Sequence, residues 1–220
     1  MTKIFIMSQT LRNHLERCRV CEHPKNKKSI VFLIEHLESE LGKWCMMEYV
    51  HMSEEVGKKN IWFTNVPRKD TKKLEKVGNV FDKSVRNLAL NMKRVCVLDP
   101  DASETLTPED AGKFDYFVFG GILGDNPPRK RTGPELTQFM KGAGVRNIGK
   151  EQMSTDNAVF TVKKIIVEGK KFEDLKFQDE VEIEKNDVES FILPYRYNLV
   201  NGKPYMSEKL VEFLKKKKDF

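Results

Sequence analysis

Residues 117–133 read Phe-Val-Phe-Gly-Gly-Ile-Leu-Gly-Asp-Asn-Pro-Pro-Arg-Lys-Arg-Thr-Gly. An apolar run, Phe117 to Phe119, stops at Gly120, Gly121 and Gly124, with Asp125 at the turn. A buried strand that ends this way delivers bare backbone to a ligand. Glycine lets N–H and C=O groups approach a flat or extended molecule that a Cβ would hold off. The spacing is not G-x-G-x-x-G, so the dinucleotide-binding fingerprint fails at the residue level. A tight turn alone needs fewer glycines.

Outward from this stretch the pattern alternates. Ile30 to Ile34 is a continuous apolar run, expected as a strand buried on both faces. Residues 38–56 carry Leu41, Trp44, Cys45, Met47 and Tyr49 at helical spacing. Ile61–Thr64, Val95–Leu98, Tyr116–Phe119 and Val145–Ile148 read as further strands. Helices are expected over 70–76, 84–92, 108–113, 132–140 and 156–168. Thr107-Pro108 with Asp110 is an N-cap signature, and Thr132-Gly-Pro-Glu135 a capping box. Strands alternating with helices predict an α/β fold, a parallel sheet with helices on both faces. Beyond about residue 169 the reading is of an appendage, with a strand near Phe191–Tyr197 and a basic helix from Ser207 to Lys218.

The 220 residues are enough for one core, and 33% of them are charged. The net charge of +6 is unevenly spread. Residues 1–30 hold seven Lys/Arg against two Glu, a net of +5; residues 168–190 hold nine Asp/Glu against four Lys, a net of −5. No apolar stretch has the length of a membrane span, and the opening Met-Thr-Lys-Ile-Phe-Ile-Met is too short and too soon interrupted for a signal peptide. Cys18, Cys21, Cys45 and Cys96 are too few and scattered for a disulfide scaffold. A cytoplasmic protein is expected. His14, Cys18, Cys21 and His23 crowd into residues 14–23, whereas structural zinc sites draw on two ligand pairs separated by a longer loop. Residues 1–29 are therefore read as a basic extension with incidental thiols, and no metal is expected.

In an open parallel sheet, ligands lie beyond the carboxyl ends of the strands. Three candidate loops fall there: Leu98-Asp99-Pro100, Gly120 to Asp125, and Ile148-Gly149 leading to Gln152-Met153-Ser-Thr155. Taken together they resemble the SPOUT class of S-adenosylmethionine-dependent methyltransferases. With Ile34-Glu-His36, Trp44, Glu48-Tyr49 and Leu193-Pro-Tyr-Arg-Tyr, residues 30 to about 212 look like the branch that includes the fungal arginine methyltransferase of a small-subunit ribosomal protein. The resemblance implies a C-terminal trefoil knot and S-adenosylmethionine as cofactor. It implies cofactor contacts from Leu98, Asp99, Pro100, Gly120, Gly121, Gly124, Ile148, Gly149, Gln152, Met153 and Thr155. Most of the class are dimers, so monomer and homodimer both stay open.

Arginine as acceptor poses a chemical problem, since its guanidinium stays protonated and has no free lone pair. A carboxylate is needed to grip it and take the proton. Glu35, Asp125 and Glu48 are the catalytic candidates, Glu48 lying four residues after Trp44 on one helix face. Trp44 and His36 are candidate substrate contacts, against the plainer readings of core aromatic and structural hydrogen-bonder. The acidic 168–190 segment suits a basic protein substrate and repels RNA. The basic leader, Pro127-Pro-Arg-Lys-Arg131 and Lys215 to Lys218 support the alternative of an RNA methyltransferase. A ribosome-associated cofactor-binding module without catalysis is a third reading.

Overall fold

The computed structural model describes residues 29–216 except 125, 126, 128 and 187. The His14/Cys18/Cys21/His23 cluster and Asp125 lie outside the described residues. Six strands form a parallel sheet: β1 (Val31–His36), β2 (Ile61–Thr64), β3 (Asn79–Val80), β4 (Val95–Leu98), β5 (Tyr116–Gly121) and β6 (Gly144–Arg146), in the order β3-β2-β1-β5-β4-β6. All six residues of β1 are buried, as a strand covered on both faces requires.

The two faces bury different sets. Phe32, Ile34, Phe63, Cys96, Phe117 and Phe119 face helices α1 (Lys43–Val56) and α5 (Thr155–Ile166) through Tyr49, Met52, Val159, Val162 and Ile165. Val31, Leu33, Val95, Val97 and Val118 face Val85, Leu136 and Met140 on the other side. Between them lie three one-turn helices, α2 (Thr71–Leu74), α3 (Asp110–Lys113) and α4 (Thr132–Glu135).

Three expected helices change. The helix placed at 38–56 starts at Lys43, because Glu38 is drawn away: its Oε1 accepts from Leu123 N (3.0 Å) and Arg131 Nη1 (2.8 Å). The helix expected over 84–92 is two 3₁₀ turns, Val85–Asn87 and Met92–Arg94. Ser84 and Asn91 each bond the backbone N–H two residues on, a local alternative that competes with helix. The helix expected over 132–140 breaks at Leu136 after one α turn. Glu135 does not close the capping box; it is held by Arg131 Nε at 2.7 Å.

The C-terminal appendage holds more sheet than the sequence suggested. The acidic stretch contains β7 (Phe177–Glu184), paired antiparallel with β8 (Ser190–Val200), which also pairs with β9 (Lys203–Pro204). Helix α6 (Glu208–Lys216) closes the chain's described part. Val181, Ile183, Phe191, Leu193, Tyr197, Leu210 and Leu214 form its core, and Trp44 and Met47 of α1 pack against it.

Candidate active site

Strand β4 lies between β5 and β6, so the loops after these three strands are neighbours at one sheet edge. They enclose a cavity of about 860 Å³, within the usual range for a ligand pocket. Leu98, Asp99, Pro100, Gly120, Gly124, Ile148, Gly149, Gln152, Met153 and Thr155 line it, with Ala158 and Phe172. Gly121 does not. A Cβ there would stand 2.5 Å from Tyr49 Oη and 3.0 Å from Glu35 O, so this glycine serves packing under the sheet end.

The loops are fixed by their own polar groups. Asp99 accepts from Asp101 N (3.0 Å) and Thr137 Oγ1 (2.5 Å), which closes its turn. Asn147 Oδ1 accepts from Gly149 N at 3.1 Å. Gly149 sits at φ +92°, where an L side chain is strained. Tyr195 Oη donates to Gly124 O at 3.0 Å, and Arg196 N donates to Gln152 O at 2.8 Å. Strand β8 thus straps both the glycine loop and the Ile148–Thr155 loop.

These residues fit S-adenosylmethionine. A Cβ on Gly124 would fall 2.5 Å from the Tyr195 ring and 2.9 Å from the Gln152 amide, so glycine keeps the cradle open. Leu98, Ile148 and Met153 offer apolar walls for a flat base beside exposed backbone groups. Among the described residues no group of three or more His, Cys, Asp or Glu side chains is gathered for a metal.

A second cavity of about 200 Å³ shares Ile122, Leu123, Gly124 and Thr155 with the first. Its other walls are Trp44, Glu48, Ser154 and Tyr195. Glu48 is buried and accepts from Trp44 Nε1 at 2.7 Å. Burial, with Asp156 adding like charge and the Trp44 bond opposing, pushes its carboxyl up to about 8.

Glu35 is placed elsewhere. It projects to the opposite sheet face, where Oε2 accepts from Thr64 Oγ1 (2.5 Å) and Val85 N (2.9 Å) and Oε1 accepts from Ser84 Oγ. With every oxygen engaged by its own chain, it pins the 84–85 turn. It lines neither cavity, so the structure does not bring it together with Glu48. His36 is likewise outside both cavities; its Nδ1 pairs with Tyr49 Oη at 2.8 Å, and burial lowers its proton affinity. Tyr195 and Ser154 are cavity residues to which sequence reasoning gave no role. Tyr195 was within reach, since Leu193-Pro-Tyr-Arg-Tyr already stood out.

A parallel α/β sheet carrying a glycine-rich ligand cavity at its carboxyl edge agrees with a SPOUT-like methyltransferase fold. Trm10 from Thermococcus kodakaraensis shares that fold at a TM-score of 0.51 and 18% identity, over 66% of this chain and 96% of that one. The likeness narrows sharply from there. The chain belongs to the SFM1-like protein arginine N-methyltransferase family, which matches residues 31–219. Protein arginine N-methyltransferase SFM1 of Saccharomyces cerevisiae is 40% identical over 200 residues, spanning 84% of this chain and 94% of the relative. The yeast SFM1 structure complexed with S-adenosylmethionine superposes at a TM-score of 0.79 with 38% identity, covering 95% of this chain and 98% of that chain. The complex with S-adenosylhomocysteine gives 0.78 at 38% identity, covering 84% and 94%.

Proposed function

We propose that this chain is an S-adenosylmethionine-dependent methyltransferase that modifies an arginine of a small-subunit ribosomal protein in the cytoplasm. The observation that carries the reading is Glu48: a buried carboxyl, held by Trp44, opening on a cavity that adjoins the cofactor loops. When bound, the cofactor supplies a methyl group on a sulfonium, already activated toward a nucleophile. The chain's own work is then alignment, which can contribute roughly 7–11 kcal/mol.

Loops 98–102, 120–124 and 148–155 hold the cofactor, with the Gly124 cradle propped by Tyr195. A guanidinium entering the smaller cavity meets Glu48, beside the faces of Trp44 and Tyr195. A cation over such rings is favoured by about 0.5–2 kcal/mol, and the carboxylate supplies charge-assisted hydrogen bonds. Glu48 then accepts the N–H proton that must leave when the nitrogen gains a substituent. Asp125 follows Gly124 directly in sequence and is the second carboxylate of the proposal.

The acidic ribbon supports a basic protein acceptor over RNA: Asp179, Glu180, Glu182 and Glu184 of β7 are exposed. The test is transfer of radiolabelled methyl groups into ribosomes, followed by separation of protein from RNA. Label recovered as methylarginine in a small-subunit protein is expected, lost with Glu48→Gln. Label confined to RNA would overturn the arginine reading.

A further inference from the structure

Glu48 is buried, and the small cavity on which it opens has a second polar side chain in its wall. Ser154 lines the same small cavity as Glu48. Its Oγ donates to Asp156 Oδ1 at 2.6 Å, and Asp156 Oδ2 is 2.7 Å from His51 Nδ1. Asp156 is 4% exposed and His51 11%. The chain of contacts therefore runs from the cavity, through a fully enclosed carboxylate, to an imidazole that touches solvent. His51 lies three residues beyond Glu48 on α1, one turn along the same face, and its ring is stacked on Tyr205 at 4.6 Å. Asp156 stands in the first turn of α5, where a carboxylate suits the helix dipole, and its second oxygen is free to face His51. An uncompensated buried carboxylate would be costly, yet Asp156 is kept and fully hydrogen-bonded, with Asn157 N also donating at 2.8 Å.

Resting on the Glu48 reading above, we infer that Ser154, Asp156 and His51 form the proton exit from the arginine pocket, with His51 as the relay to solvent. A guanidinium seated against Glu48 occupies the cavity that Trp44 and Tyr195 also line, and a proton displaced from the carboxyl leaves by way of Ser154, the polar hydroxyl of the same cavity that leads to Asp156. The cycle balances in protons and charge. Arginine binds as a cation and displaces one proton from Glu48 to solvent by way of His51. The N–H proton of the methylated nitrogen returns to Glu48, its bonding pair now holding the new N–C bond. The S–C pair stays on sulfur, and a cationic product faces a neutral carboxyl it no longer pairs with, which favours release. His51 is the member at the outer end, because its ring reaches Asp156 on one side and solvent on the other.

The groups facing this path are few. Around Glu48 stand Asp156 of α5, Cys45 and Tyr49 of its own helix, and Tyr197 of β8. Around His51 stand Asp156 and Tyr205, the latter donating to Glu55 Oε2 at 2.7 Å, with Lys163 on Glu55 Oε1. His51 and Asp156 act through Glu48 and are positioning residues.

The test is stopped-flow proton release, followed with a pH indicator, as protein loaded with S-adenosylhomocysteine is mixed with an arginine-containing peptide. The wild type should release close to one proton at pH 7. His51→Asn keeps a donor to Asp156 but has no imidazole; it should release the same amount at least tenfold more slowly. His51→Ala should be equally slow and recover with imidazole in the buffer. A His51→Asn release rate equal to wild type, or an Ala variant that is slow and not rescued, would overturn the exit path. Absence of any proton release from the wild type would instead overturn the Glu48 reading, so the two failures are separable.

Discussion

Replacing Glu48 by glutamine should flatten the dependence of stability on pH. The carboxyl titrates at 4.5 in the unfolded chain and near 8 in the folded protein. Its folded proton affinity is raised, so the protonated form favours folding. That contribution is complete below pH 4.5 and is lost as pH climbs through 8. Where the folded state holds one more proton than the unfolded, stability falls by about 1.4 kcal/mol per pH unit. Between pH 6 and 7.5 the loss from this one group is then about 2 kcal/mol. Glutamine keeps an acceptor for Trp44 Nε1, fills the same volume and does not titrate. Urea unfolding of both proteins at pH 6, 6.75 and 7.5 reads the difference. The free energy of the Glu48→Gln protein should rise relative to wild type by about 2 kcal/mol across that range, with equal m-values. Parallel curves would refute the reasoning, because they would mean that Glu48 is already ionised in the folded pocket or is solvated by it.

Three further outcomes follow from named contacts. Gly149→Ala places a Cβ at φ +92° and 3.0 Å from the Phe172 ring; a strain of about 1–2 kcal/mol should weaken S-adenosylmethionine binding roughly tenfold by calorimetry, and unchanged affinity would remove Gly149 from the cradle. Glu35→Ala leaves Ser84 and Val85 N without their acceptor and Thr64 Oγ1 with only its longer bond to Ile34 O, which should cost about 2–3 kcal/mol in urea; the folded protein should keep its cofactor affinity, and a loss of affinity at full stability would place Glu35 in the site. Gly121→Ala drives a Cβ to 2.5 Å from Tyr49 Oη and should unfold or aggregate the protein; a soluble variant of normal stability would show that the sheet end yields more than a close-packed interior allows.

What the sequence held was local or periodic. The apolar runs of β1, β4 and β5 are buried on both faces and needed no partner to be recognised. The glycines at 120, 124 and 149 announced bare backbone, and the family resemblance that the three loops carry implied their ligand. The alternation of Val181 and Ile183 with Glu182 and Glu184 was equally legible as a strand, but the reading of this stretch stopped at its acidic charge.

Tertiary structure decided which side of the sheet each side chain serves. Neighbours along β1 point to opposite faces, since strand side chains alternate. Glu35 is therefore consumed by the turn at Ser84, while Glu48, one helix later, faces the cofactor's neighbour cavity. The pairings Ser154–Asp156–His51 and Tyr195–Gly124 join residues up to 105 positions apart, and no spacing rule reaches that far. Sequence determined that a glycine-rich ligand loop exists; only the packing of α1, α5 and β8 onto it decided which carboxyl opens on the adjoining cavity.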